Sequence, residues 1–204
     1  MLKKLMFGLI VSMLWVNVSV ASAASPTDKV RATVDAILAT LKQGDLSRDD
    51  KRAKIKSLIQ ERFHFRAMSQ RALAKNWRKV SEDEKKSFIA LFSQLLQQTY
   101  MGKVEAYTDE RVEYLGEKVK KKTAEVDTQI VSSSVNIPIT YKVLKSGDDW
   151  LVYDVKVEEV SLISNYRTTY ADIFKKEGMS GLLAKMQETL ERQLSAAESQ
   201  AAVN

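Results

Sequence analysis

The stretch WLVYDVKVEEVSLISNYRTTY, residues 150–170, decides how the rest of the chain can fold. Its first half alternates apolar and polar residues, which is the two-residue period of a strand with one buried face. That face is predicted to carry Leu151, Tyr153, Val155 and Val157. The apolar residues then recur at helical spacing, as Leu162, Ile163, Tyr166, Tyr170, Ile173 and Phe174. A strand therefore passes directly into a helix, with Ser161 between them as a predicted N-cap.

Three more strands are predicted before this one, because the period of two begins after Tyr107. The first contains Val112 and Tyr114, and Gly116-Glu117 is predicted to turn the chain into the second. The second runs over residues 124–130 and the third over residues 135–143, with Ser132–Ser134 as the turn between them. Pro138 predicts that the third strand lies at a sheet edge or contains a bulge. Short connections make the four strands an antiparallel meander with one apolar face.

The helices are marked by their capping residues. Ser25, Ser47 and Ser81 each precede a helical apolar stripe and are predicted N-caps. A short helix is predicted from the spacing of Phe65, Met68, Ala72 and Leu73, and it breaks at Asn76-Trp77. Gly178 is predicted to end the helix that begins near Leu162, and a last helix follows it. The pattern as a whole predicts an α+β fold whose helices cover the apolar face of the sheet.

Composition predicts one exported domain. The 204 residues include 32 Lys and Arg against 26 Asp and Glu, a net charge of +6, and no cysteine. Residues 1–23 have the basic start, apolar middle and Ala21-Ser-Ala23 end of a secretory signal peptide; an uncleaved anchor helix is the alternative. Residues 24–204 then form a single domain with a tail that frays from about residue 196. Nucleic acid is not an expected partner of an exported chain, whereas anionic membranes or acidic proteins are.

The sequence contains few residue patterns that would indicate a catalytic site or a metal site. His64 is the sole histidine and lies between two phenylalanines, where a structural role is expected. Without cysteine, a zinc site of His and Cys ligands cannot be assembled. Adjacent carboxylates such as Asp148-Asp149 and Glu158-Glu159 do not converge in a cleft, as a paired-acid hydrolase requires. Neither a nucleophile elbow nor a phosphate-binding loop is present. We therefore expect no enzyme activity, no metal and no cofactor.

The apolar stripes allow two interpretations that periodicity cannot separate. Helices and sheet either pack into a filled core, which such patterns usually indicate, or enclose a cavity for an apolar ligand.

Several segments nevertheless resemble one family in order and spacing, the MlaC-type periplasmic phospholipid-binding proteins, also called toluene-tolerance auxiliary proteins. The matching residues run through most of the chain after the predicted signal peptide. It rests on the segments 63–77, 81–100, 138–141, 150–155 and 159–167. Glu159 stands where the family pattern leads us to expect glycine.

The resemblance implies a four-stranded, curved antiparallel sheet covered on one face by a helical layer that encloses an apolar cavity. It also implies a periplasmic carrier that moves phospholipid, as cargo, between an outer-membrane lipoprotein–porin complex and an inner-membrane ABC transporter with an MCE-domain subunit. Such transport maintains the lipid asymmetry of the outer membrane of Gram-negative bacteria. The expected lipid-binding residues are Phe92, Leu96, Tyr100, Val126, Ile130, Ile137, Ile139, Tyr141, Tyr153, Val155, Val157, Leu162, Tyr166 and Tyr170. A periplasmic lipid hydrolase or a chaperone-like adaptor on the same scaffold remains the alternative.

Overall fold

The computed structural model describes residues 24–107, 111–132 and 135–201. For residues 200 and 201 it describes the backbone alone. The predicted signal peptide, part of the predicted Ser132–Ser134 turn and the end of the tail lie outside these residues. The helices are α1 Pro26–Lys42, α2 Arg48–Arg62, α3 Phe65–Leu73, α4 Glu82–Glu105 and α5 Leu162–Ala201, with a 3-10 helix over Ala74–Lys79. The strands are β1 Arg111–Lys120, β2 Thr123–Val131, β3 Asn136–Ser146, β4 Asp149–Val157 and β5 Val160–Ser161.

The predicted helix starts are confirmed. Ser25 and Ser81 each form a complete capping box with the residue three positions on, and Ser47 accepts a hydrogen bond from the backbone of Asp50. The side-chain oxygen satisfies an amide that the helix itself leaves unpaired. The predicted interruption at Gly178 is also present, since its φ of 70° and ψ of −166° break the helical path of α5. Local sequence signals thus fix where the helices begin and where the last one bends.

The sheet has five strands in the order β1-β2-β3-β4-β5, all antiparallel, so the expected count of four is wrong. The additional strand, β5, consists of two residues and is too short for its period to show in the sequence. The predicted turn at Gly116-Glu117 is also wrong. Gly116 lies inside β1, next to a bulge that shifts the register after Tyr114, and the chain turns instead at Lys121-Lys122.

Pro138 does not mark an edge strand, because β3 lies between β2 and β4. The pairing of β3 with β4 begins at Ile139, opposite Val157, so Pro138 lies just beyond it. Its carbonyl accepts a hydrogen bond of 3.0 Å from the backbone of Glu158, in the turn that follows β4. A residue without an N–H is tolerated there because the strand ladder on that side has already ended.

A second bulge lies in β4 and changes which of its side chains share a face. Lys142 pairs with Asp154, but the next residue of β3, Val143, pairs with Val152, which leaves Tyr153 as the extra residue. An extra residue reverses the alternation of a strand. Trp150 and Val152 therefore join the face that carries Val155, and they are buried with it. The predicted continuous face through Leu151 and Tyr153 is wrong for this reason.

The junction between sheet and helix is built around Asp154, which is buried. Its carboxylate accepts hydrogen bonds from the Ser161 hydroxyl (2.7 Å) and from the backbone of Ile163 (3.2 Å). The Ser161 hydroxyl oxygen in turn accepts the backbone N–H of Ser164, which confirms Ser161 as the cap of α5. The turn before it contains two glutamates with φ of 49° and 64°, a conformation that usually selects glycine or asparagine. Glu159, where glycine was expected, is one of these two.

The buried side chains form two clusters. The helical cluster joins α3, the 3-10 helix, α4 and α5, whereas the sheet cluster joins α1 to the strands. Phe63, between α2 and α3, packs against both. The buried members of the sheet cluster are Val30, Ala124, Val126, Val143, Trp150, Val152 and Val155. In the described part of the chain, no helix has the length and apolar content needed to cross a bilayer.

Candidate functional site

The apolar face of the sheet is ordered in rows across the strands. Val126, Tyr141 and Val155 stand opposite one another on β2, β3 and β4. The next row consists of Thr128, Ile139 and Val157, and the row after it of Ile130 and Ile137. Side chains on paired strands at these positions share one face of the sheet, so the rows form one apolar surface.

Burial falls along this surface from one end of the strands to the other. At one end α1 lies over the sheet, and Val126, Val143 and Val152 are almost completely buried. At the other end Ile130 and Ile137 are only half-buried. We call the end of the sheet that carries the row of Ile130 and Ile137 the open end. It also includes the residues next to this row at the ends of the strands. Val135 and Val160, at the same end, are 50% and 62% exposed. The apolar face therefore continues beyond the helix that covers it.

The structure divides the fourteen predicted lipid-binding residues among three places. The sheet cluster contains Val126 and Val155, and packed against it are Ile139, Tyr141, Val157 and Leu162. The helical cluster contains Phe92, Leu96 and Tyr170, and packed against it are Tyr100, Tyr153 and Tyr166. Ile130 and Ile137 belong to neither cluster and face each other across β2 and β3. We call the sheet cluster with the residues packed against it the sheet wall, and the helical cluster with the residues packed against it the helical wall. The predicted set thus belongs to these two walls and to the pair Ile130 and Ile137 at the open end.

The helical wall is aromatic and tightly packed. Phe92 contacts Tyr166 and Tyr170 edge to face, with ring centroids 5.2 and 5.8 Å apart, and Phe88 contacts Tyr170 in the same way at 5.6 Å. These are favourable arrangements for aromatic rings. Burial raises the pKa of Tyr166 and of Tyr170 above the ordinary value for tyrosine. Phe92, Tyr166 and Tyr170 thus form an aromatic part of this wall.

The sheet wall contains polar groups within its apolar surroundings. The hydroxyl of Tyr114 is buried and has no hydrogen-bond partner among the described residues. Arg31 of α1 lies over its ring, 3.8 Å from the centroid. Burial raises the pKa of Tyr114, and it raises the pKa of Tyr141 to about 12. An unpaired buried hydroxyl is costly, so such a position favours a ligand or solvent molecule that can accept its hydrogen bond.

The comparisons with known proteins agree on one family. The family model described as "MlaC protein" matches residues 31–188. The chain belongs to the MlaC family. That family has a curated member, the "Intermembrane phospholipid transport system binding protein MlaC" of Haemophilus influenzae, which is 24% identical over 126 residues. The chain spans about 58% of the length of this relative, which in turn covers 58% of the chain.

A solved structure gives a fold comparison. It is a phospholipid-binding protein from Ralstonia solanacearum in complex with a phospholipid. The sequence identity to the chain is 25%, the TM-score is 0.75, and the match covers 84% of the chain and 99% of the neighbour. The α+β architecture with an antiparallel sheet and helices is therefore shared over the neighbour's whole length.

In the described part of the chain, a pocket lies away from the sheet face. It is a groove of about 550 Å³ between α2, α4 and α5, and its lining includes Gln60, Gln94, Gln97 and Leu194. Seven of its ten lining residues are polar, four of them glutamines, whereas a site for acyl chains needs apolar walls. The groove is therefore not our candidate for the lipid site.

Side chains that commonly perform catalysis have structural roles here. The Nδ1 of His64 accepts a hydrogen bond of 3.3 Å from the backbone of Ala67 and so caps α3. The carboxylate of the buried Asp154 accepts two hydrogen bonds at the junction between the sheet and α5. Within residues 24–107, 111–132 and 135–201, no group of three or more His, Asp or Glu side chains is placed to hold a metal ion.

Sequence reasoning missed three residues that shape the sheet wall. The predicted buried face of β4 did not include Trp150 and Val152, because the bulge at Tyr153 leaves no mark in a period-two pattern. Tyr114 was recognised as a strand residue, but its buried hydroxyl depends on α1 folding over β1. The Arg31 side chain on its ring is a contact between distant parts of the chain, for which the sequence contains no local signal.

Proposed function

We propose that this protein is a periplasmic phospholipid carrier. It shuttles phospholipid between an outer-membrane lipoprotein–porin complex and an inner-membrane ABC transporter with an MCE-domain subunit, and so maintains outer-membrane lipid asymmetry. The observation that supports it most is the structural match to a phospholipid-bound protein over 99% of that protein's length. The family membership and the name of the Haemophilus relative support it further.

Transport by a carrier follows from the energetics of acyl chains in water. Two chains contain on the order of 30 methylene groups, and at about 0.8 kcal/mol each their exposure costs more than about 20 kcal/mol. A free phospholipid therefore does not cross an aqueous compartment at a useful rate. A carrier must offer an apolar environment comparable to the bilayer, but it need not exceed it, because transfer exchanges one such environment for the other.

The apolar sheet face and the aromatic helical wall provide that environment in our proposal. The acyl chains lie between the sheet wall and the helical wall and reach Ile130 and Ile137, and the headgroup lies beyond these two residues, at the mouth of the open end. The half-burial of these two residues leaves room for a ligand to complete their cover. Because the headgroup stays at the mouth and does not enter the space between the walls, selectivity for the headgroup is weak.

Native mass spectrometry of the purified protein tests the proposal. We expect one intact phospholipid bound per chain, identified by extraction and fragmentation. Lysolipid and free fatty acid, generated with time from added phospholipid, would instead support a hydrolase. A protein that contains no lipid and binds unfolded peptides would support the adaptor and contradict the carrier.

A matched pair of variants on β2 tests the position of the site. Ile130 and Gln129 are neighbours on one strand and face opposite sides of the sheet, and both are half-buried. Ile130→Glu places a carboxylate against the proposed acyl chains, where a charge is strongly unfavourable. We expect it to lower phospholipid co-purification at least tenfold, while Gln129→Glu leaves it unchanged.

Circular dichroism of both variants provides the control for folding. If Ile130→Glu remains folded and fully loaded with lipid, the acyl chains do not lie against this end of the sheet. If Ile130→Glu unfolds, the test uses Ile137→Ser in its place, an uncharged substitution on the neighbouring strand. We expect this variant to stay folded and to retain less lipid.

A further inference from the structure

A dense group of lysines occupies the end of the sheet that lies opposite the open end. Lys120 pairs with Thr123 to close the β1–β2 hairpin, which leaves Lys121 and Lys122 as its two-residue loop. A backbone hydrogen bond of 2.8 Å from Lys145 to Lys122 adds a fourth lysine from the end of β3. We call Lys120, Lys121, Lys122 and Lys145 the lysine tip. All four are exposed.

The charge of the lysine tip is not neutralised by the protein itself. Among the described residues none of its four side chains forms an ion pair, whereas the neighbouring Lys118 pairs with Asp127 at 3.3 Å. The nearby carboxylate of Glu117 accepts hydrogen bonds from the backbone N–H and the hydroxyl of Thr27, at 2.9 and 2.7 Å, and so is held against the start of α1.

On the adjacent β3–β4 turn, Asp149 is held by Lys29 and Arg62, and Asp148 is the exposed acid that remains. Among the described residues at this end, the four lysines without an ion pair thus outnumber the acids without one, Glu117 and Asp148.

An exposed apolar side chain lies within the same hairpin. Val119 is 51% exposed and lies on β1, which is the edge strand, on the opposite face of the sheet from its neighbours Lys118 and Lys120. A group of lysines at the end of a sheet with an exposed apolar side chain beside it matches a bilayer surface, where the ammonium groups meet lipid phosphates and the apolar group enters the interface. An acidic protein would instead require a shaped complementary surface, and the tip is a convex two-residue loop.

We propose that the lysine tip, together with Val119, docks the protein on the surface of an anionic phospholipid bilayer. The tip and the open end are separated by the length of β1, which is about 30 Å for ten residues. A protein held by its tip therefore directs the open end away from that bilayer. Docking limits diffusion to the membrane surface and presents the open end to proteins that project from it. This inference does not depend on the chain being a lipid carrier.

Co-sedimentation with vesicles tests the docking. The probes are vesicles of phosphatidylcholine alone and of phosphatidylcholine mixed with phosphatidylglycerol, each at low and high salt. We expect binding to the mixed vesicles alone, and we expect high salt to abolish it because screening shortens the range of the charges. Lys121→Gln/Lys122→Gln should weaken binding roughly 25-fold, about fivefold for each lysine near an anionic surface.

The matched control is Lys175→Gln/Lys176→Gln, which removes the same charge from exposed lysines of α5. Residue 121 has a φ of 54°, and glutamine restricts this backbone angle in the same way as the lysine that it replaces. The hairpin is therefore expected to keep its conformation in the double variant. Equal losses in the two double variants would assign binding to net charge and overturn the docking site. Equal binding to both vesicle types, or to neither, would also overturn it.

Two more measurements complete the test. Val119→Ser should weaken binding severalfold without changing the salt dependence, and an unchanged affinity would remove Val119 from the proposed surface. Phospholipid bound to the tip variants is measured in parallel by native mass spectrometry. We expect normal lipid content in these variants. A parent protein without bound lipid would contradict the carrier function but not the docking, and a parent protein that contains lipid but binds neither vesicle type would contradict the docking but not the carrier function.

Discussion

At the scale of single residues, Ser161 and Ser47 perform the same task in different surroundings. Each caps a helix by accepting the backbone N–H three residues on, and each donates its hydroxyl to a carboxylate. The partner of Ser47 is the exposed Asp50, whereas the partner of Ser161 is the buried Asp154. If either serine is replaced by alanine, water can take the place of the lost hydroxyl beside the exposed Asp50, whereas the buried Asp154 is difficult for water to reach.

The two serines therefore predict unequal costs of the same substitution. Ser47→Ala should lower the free energy of unfolding by about 1 kcal/mol, the usual loss of an N-cap. Ser161→Ala should lower it by about 2–3 kcal/mol, because a buried carboxylate also loses a hydrogen bond. Urea denaturation of the two variants measures both values. Equal losses would show that Asp154 finds another donor.

At the scale of elements, α5 is divided by the backbone of Gly178. Its φ of 70° and ψ of −166° lie in a region that side chains exclude and that glycine alone occupies readily. Met179 and Leu182, just beyond it, are buried in the helical cluster. The bend thus returns the second half of α5 to the same core.

Alanine at two glycines tests the bend. Gly178→Ala should lower the free energy of unfolding by about 1–3 kcal/mol, since the new side chain is strained in this conformation. Gly102→Ala, in the helical backbone of α4 with nothing within 4 Å of the added carbon, should raise it by up to about 1 kcal/mol. Thermal and urea denaturation check both signs. A neutral Gly178→Ala would mean that α5 also accepts a straight path.

Elements also show where prediction from sequence succeeds and where it stops. The caps at Ser25, Ser47 and Ser81 were predictable because a cap depends on residues within one turn of it. The bulge at Tyr153 was not, because it is defined by what stands opposite on β3. The candidate site shows the same division. Apolar periodicity selected Phe92 and Val126 equally, but only the packing assigns one to the helical cluster and the other to the sheet cluster.

At the scale of the whole molecule, several tyrosines link stability to alkaline pH. Burial raises the pKa of Tyr141 to about 12. It also raises the pKa values of four further tyrosines, in both walls of the candidate site: Tyr100, Tyr114, Tyr166 and Tyr170. The unfolded chain loses the proton near pH 10, so the native state keeps protons that the unfolded state has lost. Stability from this source is complete below about pH 10 and falls as pH rises toward the folded pKa values.

The expected result is unfolding in alkali that coincides with tyrosine ionisation. At one pH unit above the unfolded pKa, each fully shielded tyrosine removes up to about 1.4 kcal/mol. Absorbance of tyrosinate and far-ultraviolet circular dichroism, recorded together as pH is raised, should show most tyrosines ionising in the same step that unfolds the chain. Tyr141→Phe should lose less stability than the parent between neutral pH and pH 11. Smooth ionisation of nearly all tyrosines in a still folded protein would show instead that both walls admit water and hydroxide. That outcome would contradict an apolar site between them, because acyl chains are not sheltered where tyrosinate is solvated.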